Sequence, residues 1–150
     1  MMDTPNSNKI VVANWGPANQ GKTKTVKEIA KIILAKPGAL CDPSSPDFSK
    51  DIQLVVTIKN IKIGIESQGD PDSRLFESLE KFLAEKCQII ICSTRSSGAT
   101  VKAVEKLHSL HNYDNVWVTN HRSNEKDQDK LNKVSAEQIV HMLKQFSLLP

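Results

Sequence analysis

The stretch Ile10-Val11-Val12-Ala13-Asn14-Trp15-Gly16-Pro17-Ala18-Asn19-Gln20-Gly21-Lys22-Thr23-Lys24-Thr25 decides how the rest of the chain is read. It opens as a short β-branched run, Lys9 to Ala13, that stops at a glycine and a proline, which suits a buried strand. Past the second glycine, Val26, Ile29, Ala30, Ile33 and Leu34 recur at helical spacing until Pro37-Gly38 ends the pattern. The order is strand, glycine-bearing loop, helix. The question is whether that loop grips an anion or only turns the chain.

The pattern continues outward from there. Residues 38–50 (GALCDPSSPDFSK) carry prolines, serines and a glycine, and are expected to form an exposed loop. Leu54–Ile58 and Ile61–Ile65 are β-branched runs separated only by Lys59-Asn60, too short a link for a parallel crossover, so they predict a hairpin. Asp70-Pro71 is expected to open a helix, with Asp70 as cap, Pro71 in its first position and Leu75, Leu79, Phe82 and Leu83 as its apolar stripe. Gln88–Cys92 is continuously apolar, as a buried parallel strand is. Val101, Val104, Leu107 and Leu110 mark another helix, and Val116–Thr119 the last strand. After a polar, charged stretch at 121–134, Ser135 with Gln138 forms a capping-box pattern ahead of a closing helix. This alternation predicts one domain over residues 1–150. Its expected fold is a three-layer α/β/α sandwich, its sheet mostly parallel with one antiparallel strand from the hairpin.

Composition narrows the class of function. In 150 residues, 39% apolar, there is enough to bury a core, and 20 Lys and Arg against 17 Asp and Glu leave only +3 without a basic block. Nucleic acid is therefore not an expected partner. The three cysteines, Cys41, Cys87 and Cys92, show no CxxC spacing and read as reduced core thiols. No apolar run approaches the roughly 18 residues of a membrane span, and residues 1–9 lack an apolar signal core. A soluble cytoplasmic protein without membrane contact is the expectation.

Gly16-Pro17-Ala18-Asn19-Gln20-Gly21-Lys22-Thr23 matches GxxxxGK[ST] in full, between a strand and a helix. On these residues the chain resembles the P-loop NTPases. The resemblance implies that residues 16–23, with Lys24, cradle a nucleotide. Glycines 16 and 21 turn the backbone so that its N–H groups face an anion at the positive end of a helix. Lys22 would bridge the β and γ phosphates as a catalytic charge, and the Thr23 hydroxyl would be one ligand of Mg²⁺.

A second station is Ile61-Lys62-Ile63-Gly64-Ile65-Glu66-Ser67-Gln68-Gly69-Asp70, where an apolar strand delivers acidic residues to its carboxyl end. There an open α/β sheet binds its ligands. The hairpin followed by Glu66-Ser67-Gln68-Gly69 is similar to the small-GTPase layout with its DxxG motif, with Glu in place of Asp. By this resemblance Glu66 holds Mg²⁺, through water, or orients the nucleophile, and Gly69 lies by the γ phosphate. Asp70 is the competing acid, its alternative role being the helix cap.

Only three basic residues are arginine, and two of these, Arg95 and Arg122, follow strand ends. A planar fork of donors suits phosphate or a base. Arg95 is assigned to the γ phosphate or a phosphorylated acceptor, and Arg122 with Asn120 to the base. His108, His111 and His121 lack metal-ligand spacing partners, and Trp15 and Trp117 read as packing. A guanine-reading NKxD is missing, since the chain offers Asn120-His121-Arg122-Ser123, so ATP is favoured over GTP. Mg²⁺-dependent hydrolysis of a nucleoside triphosphate is the leading expectation. A small-molecule kinase, with 38–50 and 121–134 as closing segments, and a nucleotide-sensing switch acting on a protein partner stay open. A homodimer that completes the site with an arginine in trans is also compatible.

Overall fold

The computed structural model describes residues 9–17, 21–146 and 148–150. Along the chain come β1 (Ile10–Trp15), α1 (Lys22–Leu34), β2 (Leu40–Asp42), β3 (Gln53–Ile58), β4 (Ile61–Glu66), α2 (Leu75–Ala84), β5 (Ile89–Thr94), α3 (Ala99–His111), β6 (Asp114–Val118) and α4 (Gln128–Gln145). They form an α/β structure around one six-stranded sheet of order β2-β3-β4-β5-β1-β6. β4, β5, β1 and β6 run parallel, and β3 is antiparallel to both of its neighbours. The expected hairpin is present: Ile58 faces Ile61, and Lys59 turns the chain at φ 55°.

Alternation along the central strands builds the two apolar layers, because successive strand residues point to opposite faces. Ile10 and Val12 of β1 and Ile89 and Ile91 of β5 pack with Val26, Ile29 and Ile33 of α1 and Ile139, Val140 and Leu143 of α4. Val11, Ala13, Ile90 and Cys92 point the other way, onto Leu75, Leu79 and Phe82 of α2 and Val104 and Leu107 of α3. Burial pushes the Cys87 and Cys92 thiols up to about 12, so both stay protonated at neutral pH, as inert core residues do. Among the described residues no helix is long and apolar enough to cross a membrane.

Three expected boundaries need correction. Within 38–50, Leu40–Asp42 is a short edge strand against β3, which the prolines and serines around it concealed. α2 starts at Leu75, not at Pro71, because Asp70 to Ser73 closes its own turn, with Ser73 N–H and Oγ both donating to the Asp70 carbonyl. Asp70 is therefore not the helix cap. α4 starts at Gln128, capped by the Asp127 carboxylate, which accepts from the Asp129 N–H at 2.9 Å. Ser135 sits inside that helix, buried, and accepts from the His121 N–H instead of capping. Much of the supposed closing segment 121–134 is thus helix packed against α1.

Candidate functional site

β1 and β5 are neighbours, but the chain leaves them in opposite directions. From β1 it passes through α1 on one face towards β2, and from β5 through α3 on the other face across to β6. Adjacent parallel strands whose exits diverge leave a crevice at their carboxyl ends, the usual ligand position in an open α/β sheet. Lys22 occupies it. Its ammonium donates to the Gly16 carbonyl and, at 2.5 Å, to the Thr94 carbonyl, at the ends of β1 and β5. Lys22 is 8% exposed. Burial lowers its pKa from 10.5, the Asp70 charge raises it, and the Arg95 charge lowers it. Asp70 and Arg95 are therefore close enough to the ammonium to act on it.

Around Lys22 opens a cleft of about 880 Å³. Its floor is the start of α1, where the first intrahelical bond is Thr25 N–H to the Gly21 carbonyl and the first turn carries no acidic residue. The N–H groups of Lys22, Thr23 and Lys24 consequently have no acceptor within the helix. Gly21 reaches the helix with φ 77°, a left-handed backbone that glycine adopts without a clash. Thr23 Oγ1 donates to the Ser67 carbonyl at 3.2 Å, which keeps its lone pairs open. Gly69 lies flush on β5: a Cβ there would come within 2.6 Å of the Ser93 carbonyl oxygen. Arg95 Nε holds Asp70 Oδ1 at 2.9 Å on the far wall, both side chains partly exposed.

Glu66 sits differently. It is fully buried and its carboxylate is taken up on every side: Oε1 accepts from Arg74 Nε at 2.8 Å and Ser78 Oγ at 2.5 Å, and Oε2 from the Gln68 N–H at 2.9 Å. It does not line the cleft, and its strand is separated from β1 by β5. Of the two acids weighed from sequence, Asp70 faces the cleft and Glu66 braces the segment behind it.

Lys22, Thr23, Lys24, Gly21, Gly69, Asp70 and Arg95 are brought together. Gly16 is buried against Lys22, whereas Pro17 is exposed at the rim. Ala18, Asn19 and Gln20 lie outside the described residues. Arg122 is exposed and does not reach the cleft lining, and Asn120 is engaged with Asn14 and Asn132. Two further parts of the wall had not been expected. Asp51 lies in the cleft and accepts from Ser67 Oγ and Gln68 Nε2 at 2.9 and 3.1 Å. The hairpin already held that information, since the residues before an antiparallel strand lie at the same edge as the end of its partner, here Gln53 opposite Glu66. Gln128, Asp129 and Asn132 of α4 form the opposite wall, with Asp129 pairing Lys24 at 3.5 Å. They escaped notice because the helix start was placed at Ser135.

Among the described residues no three His, Cys, Asp or Glu side chains gather as a metal cage. Thr23 and Asp70 both line the cleft, and a hydroxyl with a carboxylate is a donor set that fits a hard cation shared with bound phosphates, as Mg²⁺ is. Comparison of the chain with protein-family models, curated protein sequences and solved structures found no match.

Proposed function

We propose that the cleft at the carboxyl ends of β1 and β5 binds the phosphates of a nucleoside triphosphate with Mg²⁺ and hydrolyses it, ATP being favoured over GTP. The observation that carries this reading is the Lys22 ammonium, buried at the start of α1 and held, among the described residues, by the Gly16 and Thr94 carbonyls. An anion entering there would exchange two neutral acceptors for charged ones, which strengthens each hydrogen bond. The free N–H groups of the first turn of α1 supply the rest of the cradle.

In this mechanism Lys22 and Arg95 stabilise charge on the transferring phosphoryl from two sides, which is the main thing phosphoryl transfer asks of a protein. Arg95 now spends its Nε on Asp70; when a phosphate replaces that carboxylate, Asp70 becomes available. Thr23 and Asp70 would hold Mg²⁺, which neutralises charge on the phosphates when bound. Asp51 faces the same space and is placed to orient a water. Glu66, by fixing the Gln68 N–H and Arg74, keeps residues 67–70 and Gly69 against β5. The preference for ATP rests on the missing NKxD at Asn120 and on the engagement of Asn120 with its neighbouring amides.

Purified protein incubated with Mg²⁺ and ATP should release inorganic phosphate, and Lys22→Ala should abolish the release. Consumption of ATP only after a panel of small acceptors is added would turn the assignment to a kinase. Absence of both turnover and nucleotide binding would refute it.

A further inference from the structure

Three side-chain amides run in a line from β1 to the start of α1. Asn14 Nδ2 donates to Asn120 Oδ1 at 2.6 Å, and Asn120 Nδ2 donates to Asn132 Oδ1 at 3.2 Å. Asn132 Oδ1 accepts a second bond at 2.9 Å from Gln128 Nε2, whose other N–H goes to the His121 carbonyl at 2.9 Å. A backbone carbonyl can only accept. It therefore fixes which end of Gln128 carries the nitrogen, Gln128 fixes Asn132, Asn132 fixes Asn120, and Asn120 fixes Asn14. None of these amides can be flipped without setting two donors or two acceptors against each other.

Among the described residues the orientation leaves two groups over, Asn14 Oδ1 at the β1 end and Asn132 Nδ2 at the α1 end, and the second belongs to a residue that lines the cleft. Asn132 is 1% exposed, and its Nδ2 has no acceptor among the described residues. It lies beside Gly21, 3.1 Å from where a Cβ of that residue would stand, and Asn132 follows Asp129, the partner of Lys24, by three residues in α4. A buried amide with both lone pairs of its oxygen filled and an unused N–H is costly unless something else accepts from it. The residue next to it is the one that starts α1.

We infer that Asn132 is a ligand-binding residue whose Nδ2 donates to an oxygen of the nucleotide at the Lys24 end of the cleft. The inference rests on the nucleotide reading above and deepens it. Lys22, Arg95 and Asp70 mark the end that takes the terminal phosphate; Lys24, paired with Asp129 of α4, marks the other. An oxygen at that second end belongs either to the inner phosphate or to the ribose, and both offer the same acceptor to an amide. Gln128 and Asn120 then act as positioning residues that fix which way round the Asn132 amide is turned.

The test measures ADP and tripolyphosphate binding by calorimetry, in the presence of Mg²⁺, for the wild type, Asn132→Ser, Asn132→Asp and Gln128→Ala. Asn132→Ser removes the donor without adding charge, and Asn132→Asp keeps an acceptor for both incoming N–H groups; thermal unfolding shows which variants keep the fold. ADP affinity should fall at least about tenfold in both Asn132 variants, equivalent to about 1.4 kcal/mol, and less in Gln128→Ala. A parallel loss for tripolyphosphate identifies a phosphate oxygen as the acceptor, whereas a loss confined to ADP identifies the ribose. Unchanged affinity in Asn132→Ser, with or without a loss in Asn132→Asp, overturns the inference while binding that still depends on Lys22 leaves the nucleotide reading intact. A wild-type protein that binds neither compound overturns that reading, and this inference with it.

Discussion

Glu66 with Arg74 at 2.8 Å and Asp70 with Arg95 at 2.9 Å are the same chemical pair, formed by acids four positions apart in one segment. Glu66 is the last residue of β4, fully buried, with Ser78 and the Gln68 N–H completing its shell. Asp70 lies beyond the strand, 63% exposed in its side chain, and shares its cleft with Lys22. Burial separates their roles. A buried carboxylate with both oxygens engaged inside the protein braces structure, whereas one held by a single exposed partner can exchange that partner for a ligand.

The contrast can be broken from either side, and the largest effect belongs to the buried pair. Glu66→Ala should lower stability by about 1–3 kcal/mol, since it leaves the buried Ser78 hydroxyl and the half-buried Arg74 guanidinium without their acceptor. Chemical denaturation measures this; a loss below 1 kcal/mol would mean that the buried pair is dispensable. Asp70→Asn should cost no more than about 1 kcal/mol, the usual range for an exposed pair. It should nonetheless depress phosphate release in the presence of Mg²⁺, a loss of turnover without a matching loss of stability.

The smallest effect is a pH dependence. Because burial is the leading influence on Lys22 and lowers its pKa from 10.5, the ammonium is lost at a lower pH than an exposed lysine would lose it. ADP affinity should therefore fall as pH rises towards 10.5, in a step absent from Lys22→Ala. Stability of the ligand-free protein should move the other way. Between the folded and unfolded pKa of Lys22 the unfolded chain holds the extra proton, so raising the pH there favours the folded state. Parallel titrations of affinity and unfolding would register both signs.

Much of the candidate site was legible in the sequence because its residues sit on strongly patterned elements. The β-branched run before Gly16 and the periodic run after Gly21 placed Lys22 and Thr23 at a helix start, and the apolar strand before Arg95 placed that residue at a strand end. Glu66 against Asp70 was not decidable from spacing, because both follow the same strand and only packing tells which is enclosed. The Asp70-Pro71 pair imitated a helix start, but the side chain went to Arg95 and the turn closed on backbone and Ser73 bonds. Ser135-x-x-Gln138 imitated another, and Asp127 outcompeted it eight residues earlier by capping a helix whose first turns are polar on most sides. The strand order, with β5 between β1 and β4, depends on which crossover each helix takes and left no trace in local pattern.

The most direct test of the central claim is calorimetric titration of Mg²⁺ and ADP into the wild type and Lys22→Ala. One saturable site is expected in the wild type, with affinity falling by about a hundredfold on loss of the ammonium, equivalent to the roughly 3 kcal/mol a buried charged hydrogen bond can supply. Equal affinity in the two proteins, or no binding in either, would contradict the assignment of this cleft to nucleotide phosphates.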